Sequence, residues 1–416
     1  MAKAVVRRKH KPVDALILLL TAGLAATAGA LATWLALIPW RRSVGAPWTE
    51  RARLLWPARV GAGWNLVAAG LLAAGVVECV WAHEAPVWYA RILVGVGGAL
   101  AGSYFFDREV FPGFTGREWL RQMLAGWGLQ IALGAVLIAG LVYMPNEINP
   151  TALTIAAAVL VGQLAIRLKL AVLVLRALGV LQPADPALKE LVRSMSTRLG
   201  TPVADVWKLS GPQAQAYALP LTGELWFSGR LIEICTEAEL RAIAAHEIAH
   251  LAESRLTVAG RVAAAMVWWP LVFLNPAMAS FGLPGFAGLV VLCLTLSRSA
   301  RWASFRLERR ADGMAANAQE QDGDYASGLE KLYRDNQLPA VNPKGQRTHP
   351  SLYDRLTDAG RVPDYPRPAP PKRVPWTTVV LVSLWLITLL YPAFREVDEQ
   401  LSHRELMEWM ETNQVR

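Results

Sequence analysis

Uncharged stretches of near-bilayer length punctuate this chain. Positions 15–38, 123–146, 148–166 and 374–394 each approach the roughly 20 apolar residues that a helix needs to cross a hydrocarbon core. Two shorter stretches, 61–77 and 92–106, are weaker candidates for the same role. A further uncharged run, 262–297, is interrupted by Gly282-Leu283-Pro284-Gly285. It is long for one crossing and short for two, which predicts a cramped hairpin. Positions 166–180 mix apolar residues with Arg167, Lys169 and Arg176, as a helix lying at an interface would. Positions 183–258 and 299–373 are polar enough for water, and the Pro-rich end of the second, 361–373, reads as a linker. The pattern therefore predicts four parts: an N-terminal membrane region 1–182 with up to five spans, a domain 183–373 interrupted by the hairpin 262–297, a last span 374–394, and an acidic tail 395–416. No internal repeat is visible.

Inside the polar domain the local signals are specific. Thr236 and Glu239 stand at capping-box spacing and start a helix just before Leu240. Leu240, Ile243, Ala244 and Ile248 give that helix an apolar face. Positions 211–231 read as two strands joined by Pro220-Leu221-Thr222-Gly223, followed by a turn into a helix. The expected class is a mainly α membrane protein whose polar domain is α+β, with a small β-hairpin or sheet, standing on transmembrane helices.

Composition agrees. Hydrophobic residues make up 54% and charged residues 18% of 416, which excludes an ordinary soluble enzyme. Several of the 17 Trp, among them Trp40, Trp81, Trp88, Trp268, Trp269 and Trp376, lie near the ends of apolar runs, as in an interfacial belt. The net charge of +9 collects beside the spans, where headgroups and topology account for it, so no nucleic-acid partner is expected. Cys79, Cys235 and Cys293 are scattered and form neither a disulfide framework nor a metal motif. The basic N-terminus followed by an apolar run reads as a retained anchor, because the run exceeds a signal-peptide core and more spans follow. Glu78, near the end of a short span, is either interfacial or functional.

Lys372 and Arg373 before the last span, and Arg261, Arg298 and Arg301 around the hairpin, place the polar domain in the cytoplasm, as does the lack of basic residues at 145–150. Lys3, Arg7, Arg8, Lys9 and Lys11 also favour the inside, which five intervening spans do not allow, so one early segment is expected not to cross.

The candidate chemistry sits on the helix that Thr236 starts. His246 and His250 in His-Glu-Ile-Ala-His are one turn apart on the same face, so both imidazoles reach one ion. With only 6 His in the chain, this spacing around a Glu is an improbable accident. Glu308, in Glu-Arg-Arg-Ala-Asp, offers a third ligand, and two imidazoles with a carboxylate suit zinc while leaving a coordination position open. Glu247 stands where a carboxylate can take a proton from the attacking water. Asp312, one turn beyond Glu308, is placed to hold a ligand imidazole in one tautomer, or else is a surface carboxylate beside Arg309. If the stems on either side of 262–297 are both helical, His250 and Glu308 lie at matching distances from the apolar run, roughly 17 to 18 Å.

Over about residues 185–360 the sequence resembles the HtpX and CAAX prenyl endopeptidase group of integral-membrane zinc metallopeptidases, within the gluzincins. The resemblance includes the apolar insertion between the two halves of the motif. It implies one zinc ion per chain on His246, His250 and Glu308, with Glu247 as base and Asp312 behind the ligands. Positions 348–356 resemble the group's His-Pro-Ser segment followed by Arg, which assigns His349 and Arg355 to the catalytic machinery. Positions 211–231 resemble its Asn-Ala-x-Ala hairpin, whose edge strand accepts extended substrate. Gln215 replaces the Asn, and the substrate-binding candidates are Gln215, Ala216, Leu225, Trp226 and Phe227; the alternative for 225–227 is a buried core strand.

The reading is a zinc-dependent endopeptidase of the bacterial inner membrane. Its site faces the cytoplasm, and it hydrolyses membrane-associated or misfolded polypeptides. Alternatives are a membrane sensor or scaffold that uses a protease-like domain, and a CAAX-type processing protease. An intramembrane site-two protease fits poorly, because Arg241, Glu253 and Arg255 flank the motif and charges are costly at a bilayer centre.

Overall fold

The computed structural model describes residues 11–81, 88–343 and 349–391. The basic leader at 1–10 and the acidic tail at 395–416 lie outside the described residues. So do the Trp-flanking segment 82–87 and Thr348. The chain divides into two compact units, one of residues up to Pro112 together with those from Pro371, the other Gly113–Pro370.

The first unit packs the helices Lys11–Ala36, Trp48–Trp81 and Trp88–Val110 with the apolar helix Trp376–Tyr391. Small residues let the backbones approach: a Cβ on Gly98 would fall 2.3 Å from the Ala22 carbonyl oxygen, and one on Gly102 would fall 2.8 Å from that of Ala26. Buried Asn65 accepts a hydrogen bond from the Thr378 hydroxyl at 2.5 Å, which ties the last helix to the second. Glu78 is ion-paired with the buried Arg91.

Among the described residues five helices are long and apolar enough to cross a membrane: Ala15–Ala36, Trp48–Val80, Gly116–Tyr143, Pro150–Ala177 and Leu283–Ala318. A bent pair, Arg255–Ala265 with Trp269–Phe281, makes a sixth if its 50° break is counted within one span. The protein is a mainly α membrane protein, as its hydropathy pattern predicts. The expected cramped hairpin takes the form of this bent arm, a turn at Gly282 with φ of 60°, and the start of the long helix.

In the second unit Gly116–Tyr143 begins at a Thr115–Glu118 capping box and Pro150–Ala165 at an Asn149 cap. Both helices hold the bent arm. Met144, Ala152, Ala156 and Val159 pack on Val272, the Trp269 indole donates to the Ala156 carbonyl at 3.0 Å, and the Asn275 amide donates to the carbonyls of Leu141 and Met144.

Four strands form one sheet: β1 (Leu181–Pro183), β2 (Asp205–Leu209), β3 (Ala216–Leu219) and β4 (Glu224–Ser228), in the order β1-β2-β4-β3. β3 and β4 are antiparallel, with Tyr217 opposite Trp226, and Gly223 closes their turn with φ of 71°. β4 is parallel to β2, so it is paired on both sides, while β3 lies at the edge. Val206, Leu225 and Phe227 face a core that includes Leu188, Val192 and Met195 of the helix Pro186–Leu199 and Leu240, Ile243, Ala244 and Ile248 of the helix Glu237–Leu251. Burying each such side chain contributes about 1.5–3 kcal/mol. The sheet and the motif helix are therefore held to each other by the apolar stripe that the sequence shows.

The two stems differ. Leu283–Ala318 is one helix of 36 residues that runs from the apolar run through Glu308. The other stem is not continuous: the motif helix ends at Leu251, and a new helix starts at Arg255 with Ser254 as its cap. The equal distances expected of the two stems require two continuous helices; Glu308 sits on one, and His250 does not. A polar Glu253-Ser254 pair intervenes, and the Ser254 side chain accepts from the Thr257 amide to open a fresh helix.

Candidate metal centre

The motif helix Glu237–Leu251 starts where the sequence places it, with the full Thr236–Glu239 capping box. Buried Glu239 also accepts from Ser327 at 2.6 Å and Lys331 at 2.7 Å, which locks the helix Asp324–Asp335 across it. The crossing brings the site together. His246 and His250 turn their Nε2 atoms toward Glu308, at 3.5 Å from Oε2 and 3.4 Å from Oε1. Their rings stand 5.0 Å apart and nearly perpendicular, at 84°. One ligand atom from each of the three residues lies within 4.8 Å of the others, and all three residues are buried. This donor set fits a metal ion: two imidazole nitrogens and a carboxylate, held within one ion's reach.

Each imidazole is fixed from behind. At His246 the Nδ1 is 2.8 Å from the Tyr325 hydroxyl and 3.2 Å from Asp312. The Tyr325 hydroxyl donates to Asp312 at 2.6 Å and accepts from Arg355 at 2.7 Å, and Arg355 also donates to both Asp312 oxygens at 2.9 and 2.6 Å. At His250 the Nδ1 is 2.9 Å from Glu253, whose other oxygen is ion-paired with Arg261 at 3.1 Å. In both rings Nδ1 is held by a partner, which leaves Nε2 facing Glu308.

The electrostatics follow. Burial alone would lower the His250 imidazole, but Glu253 and Glu308 outweigh it and raise it to about 9. His246 is likewise raised, with burial opposed by Asp312 and Glu308. Burial raises the Glu247 carboxyl, and the two imidazoles offset this only in part. A carboxylate whose proton affinity is lifted by its recess is a better general base than one in water.

Of the other sequence candidates, His349 places Nδ1 2.9 Å from Glu308 Oε2 while remaining half-exposed. Arg355 is buried against Asp312 and Tyr325, one layer behind the ligands, so its contacts make it a positioning residue. Asp312 backs His246 rather than lying free beside Arg309. On the hairpin, Gln215 precedes the edge strand and accepts from the Tyr217 hydroxyl, and Ala216 begins that strand. Leu225 and Phe227 are corrections: both are fully buried in the core, on a strand paired on both sides, so neither offers a side chain or a free backbone edge to substrate. Trp226 points to the other face, opposite Tyr217, and packs near Leu181 and Leu209. Sequence reading misses Tyr325, an aromatic residue in an amphipathic helix with no motif around it. It also passes over Glu253, whose spacing of three from His250 on the same chain was a usable signal.

Residues 183–361 match the family model Peptidase family M48, the family that includes HtpX and CAAX protease-type membrane metallopeptidases. No curated protein matches the chain. The matched segment begins in β1, ends just past the helix Leu352–Asp358, and contains every residue of the centre described above. Residues 183–361 of this membrane protein are thus similar to peptidase family M48 over the whole of the candidate centre.

Proposed function

We propose that the protein is a zinc-dependent endopeptidase that hydrolyses membrane-associated or misfolded polypeptides, with Glu247 as general base. The observation that carries this is the convergence of His246, His250 and Glu308, with Glu247 beside them in a recess. His246, His250 and Glu308 would hold the ion, which when bound supplies Lewis acidity to a water and to a peptide carbonyl. Glu247 takes the proton from the attacking water and passes it to the leaving amine. Tyr325, Asp312 and Glu253 keep both imidazoles in the tautomer that presents Nε2. His349, open to solvent on one side and against Glu308 on the other, is placed to donate toward the developing oxyanion. The outer edge of β3 supports reading it as the rail for an extended peptide, whose backbone would add as a further strand.

The basic residues at Lys372 and Arg373 and around the hairpin support a cytoplasmic site in a bacterial inner membrane. The test is cleavage of casein by purified protein before and after chelation and zinc re-addition, alongside Glu247→Gln. Loss with chelator, recovery with zinc, and a variant that keeps its metal but loses at least 100-fold in rate are expected. Unaltered turnover in Glu247→Gln would remove the base assignment.

A further inference from the structure

Both sources of the ligand set are mechanically tied to the apolar hairpin, and this sets how far from the bilayer the site can work. The inference rests on the endopeptidase reading above. Glu308 lies on the same unbroken helix, Leu283–Ala318, as the second apolar arm. The apolar run ends at Ser297, and Arg298, Arg301 and Trp302 follow it, all exposed, with Trp302 60% exposed and Arg306 stacked 3.8 Å over its ring. No Asp or Glu interrupts this helix before Glu308. An exposed Arg–Trp collar directly after an apolar run marks the headgroup level. Glu308 is 11 positions beyond Ser297 on a rigid rod.

The second tie is independent of the first. His250 is separated from the other arm by the break at residues 252–254, but that break is clamped. Buried Glu253 holds Nδ1 of His250 at 2.9 Å and pairs with Arg261, which lies on the helix Arg255–Ala265 that leads into the apolar run. The helices Arg255–Ala265 and Leu283–Ala318 pack against each other. Neither ligand source can rise or sink without dragging its arm of the hairpin.

We infer that the protein cuts membrane-anchored polypeptides at a fixed minimum distance from the bilayer, with the helix Leu283–Ala318 as the ruler. Eleven residues at 1.5 Å each put the centre ~17 Å above the hydrocarbon edge when this helix stands along the membrane normal. An anchored chain must span that gap, which takes about five fully extended residues at ~3.3 Å each. Shorter juxtamembrane segments do not reach the centre. Longer ones reach it with an effective concentration that falls slowly with length.

The test uses the full chain in phospholipid nanodiscs and a set of synthetic substrates. Each substrate carries a Leu-rich span, a Gly/Ser spacer of 2 to 20 residues, and one casein-derived segment; the same segment without the span serves as control. The expected result is little cleavage with spacers of 2 or 3 residues, a rise of at least tenfold by 6 to 8, and a gentle decline beyond. Cleavage of the control together with rates indifferent to spacer length overturns the ruler and leaves the endopeptidase intact. Failure to cut any substrate or the control, with zinc bound, overturns the endopeptidase reading and the ruler with it.

Discussion

Glu253 Oε1 lies 2.9 Å from Nδ1 of His250, on the opposite side of the ring from the Nε2 that faces Glu308 at 3.4 Å. A carboxylate there fixes both the tautomer and the plane of the ligand. Replacing Glu253 with Ala should therefore weaken metal binding by about 10- to 100-fold while the protein still folds. Chelator competition on the purified protein measures this, and Glu253→Asp should recover part of the loss. An affinity equal to wild type would show that the contact is incidental.

The equivalent support at His246 is spread over Tyr325, Asp312 and Arg355. Tyr325→Phe keeps the ring and removes the hydroxyl that satisfies three partners. A loss of about 1–3 kcal/mol in stability is expected from the partners left short. Thermal unfolding of the metal-free protein reads it without interference from the ion.

The metal-free site should show a strong pH dependence of loading. With His250 raised to about 9, its ring is protonated at neutral pH, and an ion must expel that proton to bind. Affinity should then climb at least tenfold per pH unit as pH rises toward 9, and flatten above it. Titration in weak buffer near pH 7 should detect proton release on zinc addition; a pH-independent affinity between 6 and 8 would contradict the assignment.

Leu225 and Tyr217 separate core from edge. Leu225→Ala opens a cavity in the core between the sheet and the motif helix, at a cost of about 2–5 kcal/mol. Tyr217, 45% exposed on β3, should tolerate Ala with a change of about 0.5 kcal/mol or less. Denaturant unfolding of the two variants decides whether β4 is structural as its burial implies.

Much of this protein is legible in one dimension. Uncharged runs announce membrane helices because a bilayer demands length and apolarity and little else, and the capping box at Thr236 and Glu239 starts the motif helix where the spacing says it must. His246 and His250 share a face because a helix repeats every 3.6 residues, a local rule that holds without a fold. Glu308 and Asp312 are likewise a turn apart on their own helix. That Glu308 belongs to the same ion rests in the sequence on the matched stem lengths and on family resemblance, not on a local rule.

Only the tertiary structure decides the rest. Leu225 and Phe227 look like edge-strand residues until the sheet order puts β4 between β2 and β3, because strand order depends on pairing between segments that no local pattern encodes. Tyr325 enters the site because Glu239 binds Ser327 and Lys331, a contact across 88 and 92 positions of chain. The break after Leu251 turns one apparent stem into two helices, and Glu253 with Arg261 bridges it. Periodicity fixes which residues share a face, whereas the partner of that face is chosen by burial and hydrogen bonding summed over the whole domain, and that sum exists only once the chain has folded.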